Sequence, residues 1–115
     1  MNENSSHREI LIEKAGEDLK TAESLVKLED YSEEIVLFHC QQAVEKALKA
    51  FLDSQKIVYP KTHDIETLLD MCANIDGSFR QFEFIASLTP YAVEIRYDEF
   101  VSVSKKEINE IVLKS

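Results

Sequence analysis

Glycine, proline and cysteine are scarce, at two residues each in 115, and tryptophan is absent. So little turn punctuation excludes a protein of many short strands and points to long helices. Cys40 and Cys72 lie far apart, without the close spacing of a metal knuckle. Two unpaired thiols fit a reducing compartment, so a cytoplasmic location is expected. No apolar run approaches the length of a membrane span, and no membrane partner is expected. The opening MNENSSH lacks the basic and apolar blocks of a secretion signal and reads as a flexible tail over residues 1–5. Positive charge is short as well: 13 Lys plus Arg stand against 22 acids, for a net charge of −9. That balance argues against a broad basic surface for nucleic acid and leaves room for a small local basic site. The acid excess is uneven. Residues 1–30 hold eight acids and four bases, whereas residues 31–61 hold four of each.

What is present is helical periodicity. Ser6 and Glu9 form a capping box ahead of Leu11, Ala15, Leu19, Ala22 and Val26, which recur at steps of three and four. A first helix is expected from Ser6 to about Glu29, with Glu9, Glu13 and Glu17 on a solvated side. Ser32 opens a second helix running to about Gln55, with Glu33 and Glu34 at the positive end of its dipole. KIVYPK, residues 56–61, is a linker. A third helix starts at Thr62 or His63 and stops at Asp76-Gly77. A fourth covers roughly 79–97, kinked or split at Pro90, with Phe82, Ile85, Ala86, Leu88, Ala92 and Ile95 inward. Ser104 and Glu107 read as a second capping box that opens a short last helix. The expected architecture is all-α: a single domain over residues 1–115, folded as an antiparallel up-and-down four-helix bundle with a short fifth C-terminal helix.

The second helix carries the chemistry. At about 100° per residue, Val36, Leu37, Cys40, Val44, Ala47, Leu48 and Phe51 share one broad side. Cys40 therefore faces the core. His39 lies on the far side with Lys46 and is expected to be exposed, so the two adjacent residues cannot hold one metal ion. No metal site, catalytic group or cofactor is called for. Gln41, Gln42, Glu45 and Lys49 form a polar seam along the border of the apolar side. Two readings stay open: an ordinary Glu45–Lys49 pair one turn apart, or a pocket shared with later helices. His63 is either a capping residue or a pocket residue. Arg96, beside Tyr97, is either a salt-bridge partner or a bidentate grip on an anion.

CQQAVEKALKAFL, THDIETLL and EIRYDEF keep an order and spacing that resemble the HEPN family of small helical, nucleotide-associated domains. The resemblance covers nearly the whole chain. It implies a helical bundle that commonly forms a homodimer. It also implies a separate minimal nucleotidyltransferase subunit as partner, often in a toxin–antitoxin pair, and a nucleotide ligand. Many members of the family are metal-independent ribonucleases with an arginine followed, after four to six residues, by a histidine. After Arg96 the positions in that window are Val101, Ser102 and Val103. The expectation is therefore a binding module whose site residues are Arg96, Tyr97, His63, Gln42, Glu45 and Lys49. The alternative is a ribonuclease with a divergent active site. The chain has no Gly-Ser followed by paired aspartates, so nucleotidyl transfer would need a separate subunit.

Overall fold

The computed structural model describes residues 3–83 and 96–115, and every element among them is helical. Helix α1 spans Glu3–Leu25, α2 spans Glu33–Ser54 and α3 spans Ile65–Ile75. A 3-10 helix follows at Gly77–Phe82, and α4 covers Tyr97–Lys114. Among the described residues no helix is long and apolar enough to cross a membrane.

Local chemistry sets most of these boundaries. Ser32 caps α2, its Oγ accepting from the Ile35 amide at 3.3 Å, and Gln55 closes the helix as expected. Lys56 then takes the left-handed conformation, with φ of 58°, which ends the helical run. Asp64, rather than Thr62 or His63, caps α3 by accepting from the Glu66 amide at 3.1 Å. That frees the His63 ring from a capping role. Asp76 takes its side chain to the Ser78 amide and hydroxyl, and so starts the 3-10 helix.

Three expectations need correction. Helix α1 begins at Glu3, so helix covers part of the expected tail, and it ends at Leu25 rather than Glu29. The last helix is 18 residues long and starts at Tyr97, so it is not short. Ser104 is not its cap. It is buried mid-helix, where its hydroxyl donates to the Phe100 carbonyl at 2.9 Å. The sequence pattern of a capping box is ambiguous here, because a serine can equally bond back to its own helix. The expected Pro90 kink, and Ile85, Ala86, Leu88, Ala92 and Ile95, lie outside the described residues.

Helix α2 is the hub, packed against α1, α3 and α4. The order of cross-helix pairs shows that α1 and α2 run antiparallel. Asp18 meets His39 and Lys46, while His7, nearer the start of α1, meets Asp53 near the end of α2. The core joins Ala15, Leu19 and Ala22 of α1 to Val36, Leu37, Cys40, Val44, Ala47, Leu48 and Phe51 of α2. Leu68, Leu69 and Cys72 of α3 and Phe100, Ile108 and Ile111 of α4 close around them. The Phe51 and Phe79 rings pack with centroids 4.5 Å apart, fixing the 3-10 helix to the end of α2.

Candidate functional site

Ten of the eleven residues of α2 that are buried are apolar; the remaining one is Glu45, only 3% exposed. A carboxylate so enclosed is tolerated only with partners that replace water. It has two. His63 Nδ1 lies 3.0 Å from Oε1, and Lys49 Nζ lies 3.5 Å from Oε2. Because the carboxylate accepts, His63 donates from Nδ1, which leaves Nε2 as the outward atom. The His63 side chain is 85% exposed, so that outward edge is open to solvent. Asp64 positions the ring by capping α3 immediately after it, and Thr62 Oγ1 accepts from the Asp64 amide at 3.0 Å. The cluster is thus a buried anion holding an exposed imidazole on one side and an ammonium on the other.

The other residues expected at the site are placed differently. Gln42 is half-buried on the same side of α2. Arg96 stands at the N-cap of α4 without a side-chain cap bond, 80% exposed, with its Nε 3.3 Å from Asp98 Oδ1. The described geometry therefore assembles His63, Glu45 and Lys49, while Arg96 pairs locally. A structural Glu45–Arg96 bridge is not among the described ion pairs. Tyr97 is buried, in edge-to-face contact with Tyr31 and Phe100 at 6.3 and 6.0 Å between centroids. Burial pushes its hydroxyl pKa up, with Glu33 contributing further.

His39 is not the exposed residue its wheel position suggests. Its Nδ1 lies 3.0 Å from Asp18 Oδ1, and Lys46 donates to the other oxygen of the same carboxylate. The shared far-side position of His39 and Lys46 was legible; the acid from α1 that bridges them was not, because periodicity does not say which acid of α1 will face that side. The same holds for His7, whose Nδ1 lies 2.6 Å from Asp53 Oδ2. All three histidines of the chain thus present Nδ1 to a carboxylate on another element, and each pair has one member on α2. Only the Glu45 pair combines a buried acid with a mostly exposed ring.

The thiols offer no nucleophile. Burial raises Cys40 to about 11 and Cys72 to about 12. Both are unreactive core residues at neutral pH. No cluster of three or more metal-ligating side chains occurs among the described residues.

Comparison with known proteins adds one finding. The model of the HEPN domain family matches residues 8–115. The chain belongs to the HEPN domain family. No curated protein and no solved structure matches it. The match takes in the whole Glu45–Lys49–His63 cluster and the Arg96-Tyr97 pair. In this HEPN chain the late-helix positions where a histidine would follow Arg96 hold Val101, which is buried, and the exposed Ser102 and Val103.

Proposed function

We propose that this HEPN domain is a binding module of the cytoplasm, an up-and-down antiparallel bundle that pairs with itself. In this reading it holds a nucleotide phosphate at the Glu45–Lys49–His63 cluster and docks on a separate small nucleotidyltransferase, as in toxin–antitoxin systems, with Arg96, beside Tyr31 at the other end of α2, as a separate contact for that partner. Support comes from the buried Glu45 carboxylate, which presents one exposed imidazole and one ammonium from the same spot. Glu45 alone would repel an anion, but it orients the Lys49 ammonium and the His63 ring at once. Among the described residues the ion pair of the exposed Arg96 is with neighbouring Asp98, a partner it can exchange for an anionic group of the docked subunit.

Titration calorimetry with nucleoside mono- and triphosphates, and with a minimal nucleotidyltransferase, tests the reading. Nucleotide binding that disappears in Lys49→Ala, and nucleotidyltransferase binding that disappears in Arg96→Ala, are expected. Silence in every titration contradicts it.

A second reading has one observation in its favour. A histidine anchored through Nδ1 by a carboxylate keeps Nε2 available for proton transfer, which a divergent ribonuclease would need. Against it stand the net charge of −9 and the missing late-helix histidine. The expected outcome is no RNA cleavage by the purified chain. Reproducible cleavage lost on His63→Ala or Arg96→Ala would promote the second reading over the first.

A further inference from the structure

A pocket of about 300 Å³ opens where α2 gives way to the linker, lined by Asp53, Lys56, Ile57, Val58 and Tyr59. That volume lies at the lower end of the range for small-ligand sites. The end of α2 shapes it. The Lys56 amide donates to the Asp53 carbonyl at 3.0 Å and the Ile57 amide to the Leu52 carbonyl at 2.9 Å, which turns the chain back on the helix. The turn needs a left-handed residue. Lys56 fills that place with φ of 58°, where glycine would sit without strain, and so adds an ammonium to the lining. Asp53 is the acid of the pocket, its side chain 17% exposed, with His7 Nδ1 2.6 Å from Oδ2. Burial first, and then Asp53, raise Tyr59 to about 12, so its hydroxyl stays a donor to that carboxylate. A carboxylate has about four lone-pair sites, so two donors leave room for two more. Ile57 and Val58 are 38% and 92% exposed, which leaves apolar surface open beside the acid.

We propose that this pocket takes the guanine base of a nucleotide, with the Asp53 carboxylate accepting from the N1–H and the exocyclic amine of the base. This rests on the nucleotide reading above and adds the base to it. Two adjacent N–H donors meet one carboxylate as a matched fork. Adenine turns an acceptor nitrogen toward the same carboxylate and is repelled. Tyr59, Ile57 and Val58 supply the ring and aliphatic surface against which a flat base packs. Lys56 opposes a guanidinium or other cation in the same place and suits the phosphate-bearing side of a nucleotide. The position also agrees. The linker runs back along α2, with Tyr59 at Asp53 and His63 at Glu45, so pocket and cluster lie along one edge of the helix. Asp53 follows Lys49 by one turn, about 6 Å along the axis, a step that a ribose spans.

Titration calorimetry of the full chain with the monophosphates of guanosine, inosine, adenosine and xanthosine tests this. Guanosine monophosphate is expected to bind about tenfold or more tighter than adenosine monophosphate, with the inosine compound, which lacks the exocyclic amine, weaker than guanosine. Asp53→Asn is expected to reverse the preference toward xanthosine, whose C2 oxygen accepts from the new amide. Val58→Glu changes a side chain that is almost wholly exposed. It is expected to weaken guanosine monophosphate about tenfold or more at an unchanged melting temperature. Silence with all four compounds overturns both the nucleotide reading and this inference. Equal binding of all four leaves a phosphate site standing and overturns the base pocket. A guanosine preference that survives both variants overturns the pocket as its source. A preference lost in Asp53→Asn with no gain for xanthosine makes Asp53 a support of the fold and overturns the base contact.

Discussion

Glu45 and His63 meet at 3.0 Å but carry different weights. Glu45 is enclosed, so Glu45→Ala strands Lys49 beside a cavity and is expected to cost about 1–3 kcal/mol in urea unfolding. His63 is mostly exposed, so His63→Ala is expected to cost under about 1 kcal/mol in the same measurement. A reversed order would mean that the imidazole, not the carboxylate, holds this corner together. Glu107 supplies a pH test. Burial, and secondarily Glu110, raise its carboxyl to about 7, and its buried Oε2 has no hydrogen-bond partner among the described residues. The unfolded chain releases this proton in the usual carboxylate range, while the folded chain keeps it to about pH 7. The stability from this group is therefore full below the unfolded value and falls as pH rises through about 7. Glu107→Gln is expected to stabilise the chain at pH 8 by on the order of 1 kcal/mol and to change little at pH 4. Asp76 has the opposite sign. Ser78 first, and then Lys114, hold it down to about 2, so its contribution is present above the ordinary aspartate value and fades as pH falls toward 2.

At the scale of elements, α2 carries the fold. Leu48 is fully buried at the centre of the core, and Leu48→Ala is expected to cost about 2–5 kcal/mol. Ser32→Ala removes the cap of the same helix and is expected to cost about 1 kcal/mol. Thermal melting ranks the two, and equal shifts would show that the core is not centred on Leu48. The course of α2 was legible from end to end, because its apolar stripe is long and its serine cap has no competitor. The final helix was not, because Ser104 and Glu107 match a capping box while Tyr97, Phe100 and Val101 already face the core one and two turns earlier. Arg96-Tyr97 marks the start of that helix. The candidate site was half legible. The border position of Gln42, Glu45 and Lys49 follows from the helical wheel, and a histidine beside a helix start invites a partner. That Glu45 would be enclosed follows only from how α2 and α3 pack.

At the scale of the whole molecule, α2 is a two-sided element: one face builds the core, and its polar border is the proposed binding surface. Its central claim is that the Glu45–Lys49–His63 cluster and Arg96 exist for a ligand or partner rather than for stability. Arg96→Ala tests it most directly, with melting temperature and calorimetric binding measured on the same protein. Arg96 is 80% exposed and its ion pair among the described residues is with Asp98, so the melting temperature should stay within about 1–2 °C. Binding of nucleotidyltransferase by the unmodified chain should disappear in the variant. A strong drop in melting temperature, together with an unmodified chain that binds neither nucleotide nor nucleotidyltransferase, would contradict the account and leave the seam a structural one.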